Sequence, residues 1–229
     1  MTTFALLHGA GDSGSSWHRV AAHLRSHGHD AVTPDLPSED ESARWEDYAD
    51  AAVEAIGDRT DDLVVVGHSL GGFTAPLVCD RLPTRLLVLV AAMIPAPGES
   101  ADEWWTTSGY MAAAGDNPYA DDPIALYLHD VEPDVAAEAM CAERGQAGGM
   151  MRQPWPLDAW PDVPTRYLIC SEDRFFPAAW LRDLVRERLG ITPDEIETSH
   201  APYLARPAEL AERLVAYAEG ARLPANSVG

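Results

Sequence analysis

Gly67-His68-Ser69-Leu70-Gly71 sets one serine between glycines, directly after the apolar run Leu63-Val64-Val65-Val66. Gly72-Phe73-Thr74-Ala75 follows, where a helix can begin. A buried strand, a sharp turn and a helix are the context of a G-x-S-x-G nucleophile elbow. The serine in such a turn has a strained backbone, and bulk on the neighbouring residues would clash. The helix then points its first N–H groups toward the serine and stabilises negative charge that develops there. Ser69 is the expected nucleophile.

A serine hydroxyl is weak at neutral pH and needs a base, which in turn needs an orienting group. His200, in Thr198-Ser199-His200-Ala201-Pro202-Tyr203, lies after the last short strand and before the last helix, and is the expected base. Of the other histidines, His23, His27 and His29 cluster near the first helix and are expected in solvent, while His18 begins that helix. His68 is too close along the chain to swing onto Ser69. His129 falls where it could meet a ligand, and His8 is expected to anchor its own loop. The orienting carboxylate should follow a strand between Ser69 and His200. Ser171-Glu172-Asp173-Arg174 fits, with Asp173 preferred and Glu172 the alternative; Arg174 should help keep either ionised.

Acyl transfer also needs two N–H donors for a tetrahedral oxyanion. One is the backbone N–H of Leu70. The other should come from His8-Gly9-Ala10-Gly11, where the glycines allow close approach and Ala10 is the expected donor. Ser13, Ser15 and Ser16 lie near enough to reach a pocket mouth, though helix capping accounts for them equally well.

These residues sit at the ends of regular elements. Strands are expected at Phe4–Leu7, Ala31–Thr33, Leu63–Val66, Leu86–Val90, Tyr167–Cys170 and around Ile196. Between them run helical stripes, such as Trp17, Val20, Ala21 and Leu24, or Trp45, Tyr48, Ala49, Ala52, Val53 and Ile56. Strands apolar throughout are buried on both faces, so the fold class is α/β, a mostly parallel sheet flanked by helices. One stretch, from about Ile94 to Pro164, has no strand run but many aromatic and sulfur residues. It is expected to be a helical lid inserted into a single domain, a wall for an apolar pocket. The tail from Leu223 to Gly229 should be frayed.

With 37 acidic against 16 basic residues the formal charge is −21, and every basic residue is an arginine. That surface repels phosphate backbones and anionic membranes, so the expected partner is a small-molecule substrate, not nucleic acid or membrane. Without lysine there can be no Schiff-base chemistry. Cys79, Cys141 and Cys170 are too few and too scattered for a disulfide framework and read as reduced core residues of a cytoplasmic protein. No metal-ligand spacing, secretory signal or membrane span is present in the sequence, and no cofactor is expected.

Together, His8-Gly9-Ala10-Gly11, Asp35-Leu36-Pro37, Gly67–Gly72, Ser171–Arg174 and Ser199–Pro202 resemble the α/β-hydrolase superfamily, in its chain order of Ser, Asp, His. Within it the set is similar to the small esterase branch of plant methyl-ester esterases and hydroxynitrile lyases. The resemblance implies a cofactor-free Ser–His–Asp hydrolase of a small, largely apolar ester, thioester or lactone. The lyases carry a threonine after the first histidine and a lysine after the last; Gly9 and Ala201 stand there instead. Dehalogenases and epoxide hydrolases need aspartate where this chain has Ser69. The alternatives are a thioesterase or acyltransferase with the same triad, a slow-turnover ligand receptor, and cofactor-free chemistry on a ring ketone or oxygen.

Overall fold

In the computed structural model, which describes residues 1–221, the apolar runs all enter one sheet. The expected fray from Leu223 to Gly229 lies outside the described residues. The strands are β1 (Thr3–Leu7), β2 (Asp30–Val32), β3 (Leu63–His68), β4 (Thr84–Val90), β5 (Thr165–Cys170) and β6 (Asp194–Ile196). Their order is β2-β1-β3-β4-β5-β6, and every neighbouring pair is parallel. The helices are α1 (His18–Ser26), α2 (Trp45–Ile56) and α3 (Gly71–Arg81), then α4 (Ala101–Thr107), α5 (Tyr110–Ala114), α6 (Pro123–Tyr127) and α7 (Pro133–Ala142), then α8 (Ala178–Leu189), α9 (Pro202–Ala205) and α10 (Pro207–Gly220). Trp17, expected inside the first helix, instead closes a 3-10 turn over Gly14–Trp17 that leads into α1.

Successive strand residues point to opposite faces, so one apolar strand feeds two cores. Ala5, Leu7, Val65 and Ile169 pack toward α2, α3 and α8. Phe4, Leu6, Val64, Val66 and Leu168 pack toward α1 and α10. Because all strands are parallel, their carboxyl ends share one edge. β1 hands on to β2 on one side, while β3 lies on its other side. Such a reversal leaves a crevice between the two loops at the carboxyl edge, where α/β proteins bind ligands. Here those loops are His8–Gly11 and Ser69–Leu70.

Between β4 and β5 the chain is helical, with α4 to α7 and a 3-10 turn at Met150–Arg152. Tryptophans tie this segment down, because a buried indole must still find an acceptor for its N–H. Trp104 donates to the Ile94 carbonyl, Trp155 to that of Phe73 and Trp160 to that of Pro95, at 2.9 to 3.0 Å. A buried ion pair adds to them. Arg188 of α8 grips the Glu99 carboxylate with both terminal nitrogens, and that carboxylate also accepts from the Ala96 N–H and the Thr107 hydroxyl. Side-chain exposures of 12% for Arg188 and 7% for Glu99 mark the pair as desolvated. Cys79 and Cys170 are buried as expected of core residues, whereas Cys141 is exposed on α7.

Removing one partner of a buried pair leaves an uncompensated charge. Glu99→Leu should therefore lower unfolding free energy in urea by about 3–5 kcal/mol. Glu99→Leu/Arg188→Met should recover a large part of that loss. If the single variant is as stable as the parent, the pair does not anchor the helical segment.

Candidate active site

The turn after β3 is as tight as its glycines allow. Ser69 has φ = 51°, in the left-handed region that costs a non-glycine residue energy. The end of β4 braces it: the Ser69 N–H donates to the Val90 carbonyl (3.3 Å), and the Met93 N–H donates to the Ser69 carbonyl (2.9 Å). A Cβ on Gly72 would stand 1.9 Å from the Met93 carbonyl oxygen, and one on Gly67 would stand 2.7 Å from that of Gly71. No side chain fits at either place. α3 begins two residues after the serine, which points its N-terminus at the turn.

The β1 loop lies against this turn. A Cβ on Gly9 would come within 2.8 Å of the Ser69 Cβ. His8 holds the loop: its Nδ1–H donates to the Gly9 carbonyl (2.8 Å), and its Nε2 accepts from the Leu36 N–H (3.0 Å). Those two bonds require the neutral ring, and burial pushes its pKa down. From the far side, the Arg144 N–H donates to the Gly11 carbonyl (2.9 Å). Ala10 and Leu70 both line a cavity of about 640 Å³. Neither of their N–H groups donates to a protein acceptor among the described residues.

Asp173 and His200 follow β5 and β6. His200 Nδ1–H donates to Asp173 Oδ2 at 2.6 Å, and the other carboxylate oxygen accepts from the N–H groups of Phe175 (2.8 Å) and Phe176 (3.1 Å). Both oxygens are thus satisfied, and the side chain is 1% exposed. The rings of Phe175 and Phe176 stand edge-on to the imidazole. His200 and Ser69 line the same cavity. The Ser69 hydroxyl has no hydrogen-bond partner among the described residues. Glu172, the alternative acid, is exposed and meets the rest of this region only through its backbone. Arg174 does not pair with either carboxylate. Its guanidinium donates to the Ala125 carbonyl (2.8 Å) and lies 4.2 Å over the Tyr119 ring.

Other residues enter the site without a sequence signal. His68 is buried behind the serine, its ring 4.8 Å from that of His200, and its Nε2–H donates to the His200 carbonyl (2.8 Å). Burial first, and the nearby His200 second, hold His68 neutral, well below the usual histidine range. Asp12 lines the cavity and accepts from Tyr203 Oη (2.7 Å) and Ser16 Oγ (3.0 Å). Burial raises its carboxyl above the ordinary value. Ser16 therefore braces Asp12, and Ser13 caps the 3-10 turn. His129 is not on the cavity wall; it binds the Glu172 carbonyl (2.9 Å). From the helical segment, Trp105, Tyr127, Met140 and Met151 give the wall apolar surface, and Glu143, Arg144 and Gln146 give it a polar side. Trp104 and Trp155 belong to the core instead. Among the described residues no group of three His, Cys, Asp or Glu is arranged to hold a metal ion, and no helix is long and apolar enough to cross a membrane.

Residues 4–213 match the model of the alpha/beta hydrolase family. The chain belongs to that family. It is 24% identical over 252 residues to Methylesterase 7 of Arabidopsis thaliana, covering 94% of this chain and 96% of that protein. It is 35% identical to the probable esterase PIR7A of Oryza sativa subsp. indica over 107 residues, 42% of this chain and 41% of that protein. The fold matches the crystal structure of polyneuridine aldehyde esterase with a TM-score of 0.81 at 21% identity, over 95% of this chain and 99% of that one.

The two buried neutral histidines make stability depend on pH. Unfolded, each protonates near pH 6.5, whereas folded His8 and His68 resist it. Below that pH the unfolded chain binds more protons, so acid favours unfolding by up to about 1.4 kcal/mol per pH unit for each histidine. Asp12, with its raised carboxyl, opposes this trend at more acidic pH. Urea unfolding should show stability falling as the pH is lowered from 7 toward 5.5, and His8→Asn should flatten the slope. An unchanged slope would mean His8 takes up its proton as readily in the folded as in the unfolded chain.

Proposed function

We propose that this protein is a serine hydrolase that cleaves a small, largely apolar carboxylic ester or lactone through an acyl-enzyme. The observation that carries the reading is the His200–Asp173 bond at 2.6 Å beside a serine held at positive φ. Ser69 Oγ attacks the ester carbonyl and passes its proton to His200 Nε2. Asp173 fixes the ring with Nδ1 protonated and stabilises the imidazolium that forms. The oxyanion accepts hydrogen bonds from the Ala10 and Leu70 N–H groups. On collapse, His200 returns the proton to the departing alkoxide and an acyl-Ser69 remains. Water, deprotonated by His200, then attacks the acyl carbonyl; Ser69 takes the proton back and the acid leaves.

The names of the relatives, a methylesterase and an esterase, agree with ester cleavage. The apolar part of the wall favours a compact, largely apolar substrate, with Glu143 and Arg144 as its charged side. Gly9 sits so close to Ser69 that a side chain there would have to push the elbow aside. With Ala201 and the absence of lysine, this speaks against the lyase arrangement.

A fluorophosphonate probe should label the wild type and fail to label Ser69→Ala. Labelling that persists in Ser69→Ala would move the nucleophile elsewhere. His200→Ala and Asp173→Asn should each lower turnover of a short-chain aryl ester by about 10⁴-fold, whereas Glu172→Gln should change it little. A preference for acyl thioesters over matched oxygen esters in the same assay would replace the ester reading with a thioesterase.

A further inference from the structure

Asp173 and His200 sit on loops leaving β5 and β6, and β6 is a three-residue strand at the sheet edge. Two backbone bonds knit these loops to each other, from the Ser171 N–H to the Ile196 carbonyl (2.8 Å) and from the Glu172 N–H to the Thr198 carbonyl (3.1 Å). They do not tie the pair to anything else. His68 ties the His200 carbonyl to the elbow (2.8 Å), and a second link comes from the turn between α6 and α7. His129 binds the Glu172 carbonyl (2.9 Å). Asp130 Oδ2 accepts from both the Thr198 hydroxyl (2.7 Å) and the Ser199 N–H (3.1 Å). Thr198 and Ser199 are 1% and 0% exposed.

The grip sits among packed side chains. Leu128 and Val131 flank the two polar residues and pack into the core beside Ala201, Tyr203 and Leu204. Tyr127 places its ring 5.8 Å from that of His200. Asp130 Oδ1 has no hydrogen-bond partner among the described residues, so the carboxylate makes its bonds to this backbone through Oδ2. Burial works to raise this carboxyl, yet the bonds from Ser199 and Thr198 outweigh it and hold it below its ordinary value.

We propose that Asp130 is a positioning residue for the His200–Asp173 pair, clasping the backbone next to the base. The helical segment between β4 and β5 would then do two things: wall the cavity and set the direction of the imidazole. This rests on His200 acting as the base, as proposed above. Asp130 touches neither substrate nor reacting atoms and works through the Thr198–Ser199 backbone. A displacement of the base by a fraction of an ångström is enough to slow proton transfer.

The test compares Asp130→Ala, Asp130→Asn and Thr198→Val with the wild type. Two readouts are used: kcat and KM on a short-chain aryl ester, and the low-field proton resonance of His200 Nδ1–H bound to Asp173. Asp130→Ala should lower kcat about tenfold with KM changed less than about twofold, and should shift or broaden the resonance. Asp130→Asn should restore both, since one amide oxygen can accept both bonds. A folded Asp130→Ala with wild-type kcat and an unmoved resonance would overturn the proposal, even with a lower Tm. Should Asp130→Ala fail to fold, Thr198→Val keeps the buried volume and removes the 2.7 Å bond. It should lose about threefold in kcat, and an unchanged kcat would equally overturn the proposal. The resonance needs no turnover. If aryl esters are not cleaved at all, the ester reading fails while the clasp remains readable.

Discussion

Backbone has to approach backbone at the carboxyl edge of β1, β3 and β4, and everything at the site follows from that. A Cβ at Gly71 would stand 2.9 Å from the Leu7 carbonyl oxygen, and one at Gly72 only 1.9 Å from that of Met93. Missing side chains let α3 start hard against the ends of all three strands. That contact turns Ser69 outward at φ = 51°. The strain is held by bonds to Val90 and Met93, so it is a property of the sheet and not of the turn alone. The β1 loop is drawn against the serine by the same closeness. It leaves Ala10 and Leu70 lining one cavity.

Rigidity on the other side comes from a different source. The segment between β4 and β5 contains helices of five to ten residues, too short to be stable by themselves. Its order is imposed by tryptophans whose rings fill the core and whose N–H groups capture loop carbonyls, and by the Glu99–Arg188 pair. Burying that pair is expensive, and the bonds Glu99 accepts from Ala96 and Thr107, with the one Arg188 donates to the Ile94 carbonyl, are what make it tolerable. The same segment presents Trp105, Tyr127, Met140 and Met151 to the cavity. Cavity shape is therefore set by residues whose positions depend on anchors 10 or more residues away in the chain.

How legible this was in the sequence depended on how local each cause is. The elbow is five consecutive residues with an apolar run before them, so periodicity and glycine spacing sufficed. The central strands are short apolar runs and were equally plain, whereas β6, Asp194-Glu195-Ile196, offers a single apolar residue. Asp173 and Glu172 are neighbours in one loop, and no pattern within that loop says which turns inward; the N–H groups of Phe175 and Phe176 decide it. Arg174 was misread for the same reason, since adjacent loop side chains diverge and its guanidinium follows Ala125 and Tyr119. Asp12, Tyr203, His68 and Asp130 are another matter. Their bonds join residues 191, 132 and 68 positions apart. No motif spans such distances, and only the parallel sheet brings their ends together.

His68 illustrates what that closeness demands electrically. Its ring stands 4.8 Å from the ring that, in the proposed reaction, must carry a full positive charge. A second imidazolium there would oppose the proton transfer on which the nucleophile depends. Burial prevents this by keeping His68 neutral, with its one N–H spent on the His200 carbonyl. The ring therefore acts as a donor that holds the base's backbone and as a neutral neighbour that leaves the charge to His200. An arginine at this position would supply the donor but not the neutrality. An alanine would supply the neutrality but leave a buried carbonyl unpaired and the elbow unfilled. Among side chains that fit behind Ser69, a neutral imidazole meets both requirements, and the strained turn depends on that fit as much as on its glycines.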